Sequence, residues 1–259
     1  MKIDLHNHTT RCNHATGTEE EYIKQAINTG TLYFGFSDHA PMDFDTKYRM
    51  GFDQMQEYQN TIRTLQKKYE KEITILLGYE VDYLPNHMDT RVLNADVDYL
   101  IGSVHFLDRW GFDNPEFLDG YKNRDIDEIW SRYFELITQM AHSKLFDIVG
   151  HIDLIKVFQF LPKKPILEYA TPALQAIKEA DMTLELNVAG YRKPCKESYP
   201  SKEILQKAYE LDIPITFGSD AHAPQQVGMF SKEIESLAKN IGYKECVIYK
   251  NREKEFVSF

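Results

Sequence analysis

Short apolar runs of strand length alternate with longer segments of helical periodicity along the chain. The apolar runs are rich in β-branched and aromatic residues and predict seven strands, near residues 2–6, 33–37, 73–79, 98–105, 145–150, 182–188 and 213–218. The segments of helical spacing predict seven helices, at about residues 18–29, 53–71, 89–95, 125–143, 166–180, 201–211 and 231–240. Residues 245–249 predict a last edge strand. This alternation requires a parallel sheet covered by helices.

Polar residues at the strand ends decide whether that sheet is open or closed. An open, doubly wound sheet gathers functional groups near a switch point, whereas a barrel gathers them from all its strands at one mouth. Here nearly every predicted strand ends in a metal-competent side chain, and the histidines among these are His6, His8, His39, His105, His151 and His222. We therefore predict an α/β fold with a seven-unit barrel. Long loops near residues 40–52 and 106–124 would rim its mouth and contribute to substrate recognition.

Composition and charge limit the number of domains and the classes of binding partner that we expect. The chain has 259 residues, 42% of them hydrophobic, a length at which single α/β barrels are common. Two small domains remain possible, but we predict one domain over residues 1–259. Lys and Arg number 30 against 40 Asp and Glu, and the resulting net charge of −10 disfavours nucleic acid as a partner. A local metal cluster would still attract a small phosphorylated substrate.

Cysteine usage and the first residues of the chain predict a cytoplasmic protein. Cys12, Cys195 and Cys246 are odd in number and lack the paired spacing of a disulfide framework or a zinc ribbon. Met1 leads almost directly into the first predicted strand, so we expect no signal sequence. No apolar stretch approaches membrane-spanning length, and we expect no membrane partner. The sequence leaves the oligomeric state open.

Histidines and carboxylates at the strand ends predict a metal centre. Residues two apart in a strand share a face, so His6 and His8 can bind one ion together. By the same spacing, Asp220 and His222 can face one cavity. A His-x-His pair alone is weak evidence for a metal site, but the candidate ligands at the other strand ends strengthen this interpretation greatly. Glu80 follows a run too apolar for an unpaired carboxylate, and its two oxygens can bridge two ions.

Other polar residues near the strand ends have two interpretations each. His14 lies in a loop, where a histidine is usually solvated. Asp38 and Asp153 flank candidate ligands, where they can orient imidazoles or cap neighbouring helices. Arg192, and less strongly Lys156, can clamp a phosphate or contribute ordinary surface charge. We predict Arg192 and Lys156 as phosphate-binding residues.

Taken in order, the candidate ligands resemble the polymerase and histidinol phosphatase (PHP) family, and the resemblance runs nearly end to end. The segments that carry it are His6-x-His8, His14, Ser37-Asp38-His39, Glu80, His105, Gly150-His151 and Gly218-Ser219-Asp220-Ala221-His222. Longer phrases resemble the stand-alone members of that family that hydrolyse histidinol phosphate. These phrases are Ser37-Asp38-His39-Ala40-Pro41-Met42, Gly78-Tyr79-Glu80-Val81-Asp82-Tyr83, Gly150-His151-Ile152-Asp153-Leu154-Ile155-Lys156 and Tyr199-Pro200-Ser201.

The resemblance implies a distorted seven-stranded TIM-like barrel with three divalent ions, either zinc, manganese or iron, at the carboxyl ends of its strands. The first ion would be held by His6, His8, Glu80 and Asp220. The second would be held by Glu80, His105 and His151, and the third by His14, His39 and His222. Many family members carry Asp at the position of His14.

The same resemblance implies hydrolysis of histidinol phosphate to histidinol and phosphate, with attack by a hydroxide that bridges the ions. Asp220 and His222 are the candidate catalytic residues, and the sequence leaves open whether Asp220 or a nearby histidine protonates the leaving alcohol. Within the family, an exonuclease or a protein-tyrosine phosphatase is the alternative. An amidohydrolase-type deaminase is less favoured, because it would show eight units and a lone terminal Asp. A non-catalytic metal-binding module would be expected to lack some of the ligands.

Overall fold

Seven parallel strands, each followed by helical or looped chain, form the framework of the computed structural model, which describes residues 1–259. In chain order the strands are β1 (Ile3–Asp4), β2 (Tyr33–Phe36), β3 (Thr74–Asp82), β4 (Tyr99–Ser103), β5 (Phe106–Leu107), β6 (Trp110–Gly111), β7 (Ile148–Val149), β8 (Thr183–Asn187), β9 (Ile215–Gly218), β10 (Glu245–Lys250) and β11 (Glu253–Ser258). The main sheet has the order β1-β2-β3-β4-β7-β8-β9. Every neighbouring pair in it is parallel.

The first and last strands of this sheet meet and close it into a barrel. The backbone N–H of Leu5 donates to the carbonyl of Phe217 at 2.8 Å, just after β1. Further along, the N–H of Asp220 donates to the carbonyl of His6 at 2.7 Å, and that of His8 to Ala221 at 3.0 Å. The predicted seven-stranded barrel is therefore confirmed, and its closing seam runs directly into the predicted metal centre.

The helices lie outside the barrel, and their bounds agree with the predicted segments to within a few residues. They are α1 (Glu19–Asn28), α2 (Met55–Tyr69), α3 (Thr90–Leu93), α4 (Ile126–Ser143), α5 (Ile166–Glu179), α6 (Lys202–Glu210) and α7 (Ser231–Ile241). Thr18 and Glu21 form a reciprocal capping box at the start of α1. Helix α3 is a single turn, shorter than the predicted segment 89–95. None of the helices combines the length and the apolar character required to cross a membrane.

Tyr99 fills the barrel interior below the site. Its hydroxyl donates to the carbonyl of Leu5 at 2.5 Å, so the side chain reaches from β4 across to the closing seam. The ring lies against Gly78 of β3, where a Cβ atom would come within 2.6 Å of it. Alternation along β3 then places Glu80, two residues later, on the same inward face. The buried tyrosine therefore forms a floor under the metal centre.

Two predicted segments differ in detail from the structure. Strand β3 runs to Asp82, three residues beyond its predicted end, so Glu80 lies within the strand instead of after it. The loop 106–124 is not irregular throughout: β5 and β6 form a small hairpin, and Pro115–Tyr121 forms 3-10 turns. The indole N–H of Trp110 donates to the carbonyl of Phe117 at 3.0 Å and ties these two parts together.

A hairpin formed by β10 and β11 packs against the amino ends of the strands, opposite the site. Its tip is Asn251-Arg252, both with positive φ, as in tight two-residue turns. The N–H of Arg252 donates to the carbonyl of Asp98, and its guanidinium contacts the Asp147 carboxylate and donates to the Leu145 carbonyl at 2.9 Å. The predicted edge strand at 245–249 is thus confirmed, and the hairpin ties the starts of β4 and β7 together.

We expect Arg252→Ala to destabilise the protein without affecting its activity. The change removes charge-assisted hydrogen bonds to Asp147, which is largely buried, and should lower the free energy of unfolding by about 1–2 kcal/mol. Urea unfolding and steady-state turnover would be measured together. Lys250→Ala is the matched control, because Lys250 pairs only with Glu255 at the exposed surface and should change stability by less than about 0.5 kcal/mol. An equal loss in both variants would contradict the assignment.

Candidate metal centre

All nine residues predicted as metal ligands lie around one cleft at the carboxyl ends of the strands. The cleft has a volume of about 530 Å³. Seven of the nine form part of its wall, namely His14, His39, Glu80, His105, His151, Asp220 and His222. His6 and His8 lie beneath them and are fully buried. Residues separated by more than two hundred positions in the chain therefore meet at one site.

The carboxylate of Glu80 lies at the centre of the cluster. Its Oε2 atom is 3.3 Å from His6 Nε2 and 3.0 Å from His39 Nδ1. Its Oε1 atom is 2.9 Å from His151 Nε2 and 3.6 Å from His105 Nε2. The two oxygens thus face two different sets of imidazoles, the arrangement needed to bridge two cations.

Asp220 completes the cluster from the closing seam. Its Oδ1 atom is 3.2 Å from His8 Nε2, and the side-chain amide of Asn187 donates to Oδ2 at 3.2 Å. The backbone of Asp220 has a φ of +50°, so the chain turns sharply after β9 and returns His222 to the same cavity. The predicted pairing of Asp220 and His222 in one site agrees with this geometry, although a turn rather than an extended strand produces it.

Buried acceptors hold five of the imidazoles in orientation through Nδ1. The pairs are His6 with Glu185 at 2.6 Å, His8 with Asp38 at 3.3 Å, His14 with the Cys12 carbonyl at 2.7 Å, His105 with Asp82 at 2.8 Å and His222 with the Asp220 carbonyl at 3.1 Å. A donor bond at Nδ1 leaves Nε2 free to bind a cation and fixes the direction in which it points. This is a common arrangement around metal-binding histidines.

Glu185 and Asp82 were not among the predicted site residues. Glu185 lies within β8 and is 1% exposed, and besides His6 it accepts the backbone N–H of His151 at 2.8 Å. A Cβ atom at Gly218 would come within 2.1 Å of its Oε1, so the glycine leaves room for this carboxylate. The available signal was an acid inside the apolar run Thr183-Leu184-Glu185-Leu186, where an unpaired charge is unfavourable.

Buried nitrogens without hydrogen-bond partners indicate that this donor set fits cations. The unpartnered atoms are Nε2 of His6, His8 and His222, and Nδ1 of His39 and His151. Leaving a buried polar atom unpaired costs about 1–3 kcal/mol. Three of these atoms face an oxygen of Glu80 or Asp220 at 3.0–3.3 Å, so a cation between nitrogen and oxygen would satisfy both. Imidazole nitrogens combined with carboxylate oxygens suit zinc and the related divalent transition metals.

The two carboxylates and three of the imidazoles are in the protonation states that bind a cation, whereas neighbouring carboxylates raise the pKa of His6, His8 and His105 despite their burial. Burial alone would raise the pKa of Glu80 and of Asp220, but the surrounding imidazoles, His6 foremost, hold both pKa values well below the usual range. Burial lowers the pKa of three imidazoles, His14, His39 and His222, and brings that of His39 to about 4. At neutral pH the carboxylates are therefore ionised and these imidazoles neutral, the forms that bind metal.

The donor atoms fall into compact groups whose members lie within 4.8 Å of one another. Three of these groups are His6-His8-Glu80, Glu80-His105-His151 and His14-His39-His222. They coincide with the three ligand sets that the family resemblance implies, with Asp220 adjoining the first through His8. A fourth group includes Cys12, but its thiol points to the Thr9 carbonyl at 3.1 Å and burial raises its pKa.

The remaining predicted residues divide between the cleft and the scaffold. Arg192 lines the cleft, as predicted. Lys156 does not: its ammonium is buried and contacts Asp153, Glu197 and the Ser198 carbonyl at 2.7–2.8 Å, so we withdraw it as a phosphate ligand. Asp153 accepts from the backbone N–H of Ser201 and orients no imidazole.

Comparison with known proteins identifies the family. The sequence model of the PHP domain matches residues 4–189, more than half of the chain. The chain belongs to the PHP domain family. A Deinococcus radiodurans protein named "Probable histidinol-phosphatase" is 38% identical over 257 residues, which cover 97% of this chain and 98% of that protein. The histidinol-phosphatase of Bacillus subtilis is 29% identical and covers 88% of this chain and 96% of its own length.

A solved structure supports the fold independently. The histidinol phosphate phosphatase of Lactococcus lactis, in a complex with zinc, L-histidinol and phosphate, superposes with a TM-score of 0.83 and covers 98% of both chains. Its sequence identity to this chain is 20%, so the likeness concerns the fold. The closed barrel, the family match and the donor cluster thus agree on a divalent metal centre.

We expect Glu185→Gln to weaken metal binding while leaving the fold intact. A glutamine has one acceptor oxygen and cannot serve both His6 and His151 as the carboxylate does, so metal affinity or activity should fall about 10- to 100-fold. The metal content that remains after dialysis against increasing chelator concentrations would measure the loss of affinity. Glu210→Gln is the control, since Glu210 is exposed and contacts only Lys207. Unchanged metal retention in Glu185→Gln would contradict an orienting role.

Proposed function

We propose that the protein is a metal-dependent phosphomonoesterase that hydrolyses L-histidinol phosphate to L-histidinol and phosphate, a reaction of histidine biosynthesis. The observation that carries this proposal is the bridging position of Glu80, whose two oxygens face separate imidazole sets in a cleft that also contains Arg192. The names of the D. radiodurans and B. subtilis relatives, which match nearly their full lengths, support the same substrate.

Three divalent ions, either zinc, manganese or iron, are the proposed cofactors. His6, His8, Glu80 and Asp220 would hold the first, Glu80, His105 and His151 the second, and His14, His39 and His222 the third. Clustered divalent ions lower the pKa of bound water and neutralise the phosphoryl oxygens. The protein's own contribution is to present these donors in fixed orientations through Glu185, Asp82 and Asp38.

Arg192 is the proposed phosphate-binding residue. Its Nη2 atom donates to the backbone carbonyls of Ser219 at 2.8 Å and Asp220 at 2.9 Å, which fixes the guanidinium on the cleft wall. Its Nη1 atom is buried and has no partner in the protein. A guanidinium anchored on one side with a free donor on the other suits a phosphoryl oxygen, and it stabilises the charge that develops during transfer.

We assign proton transfer to the leaving alcohol to two residues that follow β9, Asp220 and His222. The Asp220 carboxylate and the His222 Nε2 atom are titratable groups beside Arg192, and both residues line the cleft. An alkoxide leaves poorly, so a proton passed to it by way of either residue would lower the barrier. We retain both as the proposed catalytic residues.

The alternatives fit the observations less well. The net charge of −10 opposes a polyanionic nucleic acid, which disfavours the exonuclease. A deaminase barrel would have eight units, whereas this sheet has seven strands. A non-catalytic metal-binding module would not require the unpartnered Arg192 beside a complete donor set.

We further propose that residues 1–259 form one barrel domain and that the protein is cytoplasmic.

A substrate panel tests the function directly. We expect metal-loaded protein to release phosphate from histidinol phosphate with a kcat/KM at least about 100-fold above that for phosphotyrosine or a short oligonucleotide, because the cleft would bind the whole substrate. His8→Ala should abolish turnover, since His8 joins Asp220 to the Glu80 cluster, while circular dichroism remains unchanged. Faster release from phosphotyrosine or the oligonucleotide, or an active His8→Ala enzyme, would refute the proposal.

Metal removal should destabilise the protein as well as inactivate it. Ligands that bind only the folded state add stability that grows by about 1.4 kcal/mol for each tenfold excess over the dissociation constant. Dialysis against a chelator should therefore lower the melting temperature and abolish phosphate release, and readdition of zinc or manganese should restore both. His142→Ala, a change outside the cleft at the end of α4, should respond to chelator as the wild type does. A chelator-treated protein that stays active would contradict the metal assignment.

A further inference from the structure

One carboxylate in the cleft is not accounted for by the metal centre. The acidic residues of the cleft wall are Asp45, Glu80, Asp113 and Asp220. Glu80 and Asp220 contact the histidines, and Asp45 pairs with Arg49 at 3.2 Å. The Asp113 carboxylate forms no ion pair or hydrogen bond with another residue, apart from its own backbone N–H, although it lies half-buried in the cleft wall.

An unpaired carboxylate in such a position lacks compensation for its lost hydration. Burial raises the pKa of Asp113, and the charges of His105, His151 and Lys193 oppose that effect only at a distance. Lys193 itself is exposed and forms no ion pair with Asp113. Partly desolvated carboxylates are stabilised by a cation close at hand, so a cation supplied by the ligand would complete this site.

The position of Asp113 suits the cationic part of a phosphorylated amino alcohol. Asp113 belongs to the loop after β4, whereas Arg192 follows β8, and β7 lies between those strands. A phosphate beside Arg192 and the metal centre would therefore place the rest of the substrate toward the β4 loop. In histidinol phosphate the ammonium is on the carbon next to the phosphate-bearing carbon, close to the reacting group.

The same loop also offers apolar surface for a ring. Phe106 and Phe117 line the cleft on either side of Asp113 in the sequence, and Phe117 is 46% exposed, which is unusual for a large aromatic residue. An imidazole ring packs favourably on such aromatic side chains. One loop thus combines a free carboxylate with aromatic surface, matching a ligand with an ammonium and a ring.

We propose that Asp113 is a specificity-determining residue that binds the substrate's ammonium group and selects phosphomonoesters with a cation near the phosphate. The proposal rests on the phosphomonoesterase function argued above and extends it to the choice of substrate. It makes Asp113 a binding residue that touches the substrate, without a part in holding the ions.

Asp113→Asn removes the charge with almost no change in shape and tests this role. The two substrates are histidinol phosphate and its deamino analogue, imidazolyl-propyl phosphate. We expect kcat/KM for histidinol phosphate to fall about 10- to 100-fold, mainly through KM, because a charge-assisted hydrogen bond is lost. Hydrolysis of the deamino analogue and the bound metal content should remain as in the wild type. Asp113→Glu should recover part of the selectivity.

Asp119→Asn is the matched control, because Asp119 belongs to the same loop but is 83% exposed and pairs with Lys122. It should leave both substrates unaffected. Equal losses for both substrates in Asp113→Asn, or no loss for either, would overturn the proposal. If the wild type fails to hydrolyse histidinol phosphate, the proposed substrate is wrong, and the comparison of phosphoethanolamine with ethyl phosphate then decides the role of Asp113 by itself.

Discussion

A buried carboxylate enclosed by imidazoles is the constraint on which the rest of the site depends. Glu80 is 1% exposed, and its oxygens lie within 3.6 Å of one nitrogen from each of five histidines. Removing a carboxylate from water costs several kcal/mol unless opposite charge surrounds it. The neighbouring imidazoles therefore keep a nitrogen directed at Glu80. For three of them, His6, His8 and His105, a buried acid on the far side of the ring fixes that direction.

The barrel supplies the rigidity that this arrangement needs. The backbone seam between the first and last strands is hydrogen-bonded at His6, His8 and Asp220 themselves, so the same hydrogen bonds close the barrel and hold these ligands together. Tyr99 fills the interior immediately below, and the hairpin at Arg252 ties the opposite end. The hairpin that stabilises the fold and the candidate metal centre thus lie at opposite ends of the strands. The loops around the cleft can therefore vary without loss of the fold.

The sequence predicted the elements well, and it predicted which histidines and acids meet in one cleft, because strands, helices and strand ends leave regular signals. Strand ends in parallel barrels converge, so His105 and His151 could be placed together from their positions alone, and the family resemblance supplied the grouping into three sets. The orienting acids were harder to predict. Asp82 and Glu185 lie inside strands whose inward face only the closed barrel defines. Lys156 resembled a strand-end cation, but its buried ammonium pairs with Asp153, three residues earlier, and with Glu197, whose approach depends on the path of the chain after β8.

The charge of the cleft explains how an acidic protein can bind a phosphate. Around Glu80 and Asp220 the imidazoles that lack partners are positioned to share cations, and each divalent ion bound there would add two positive charges. Arg192 contributes a further charge, whereas the net charge of −10 is spread over the remaining surface and is screened within a Debye length of roughly 8–10 Å. A polyanion long enough to leave the cleft would meet that surface, but a small phosphomonoester would not. The charge distribution therefore selects by size, and a free carboxylate on the rim would add selection for a zwitterion.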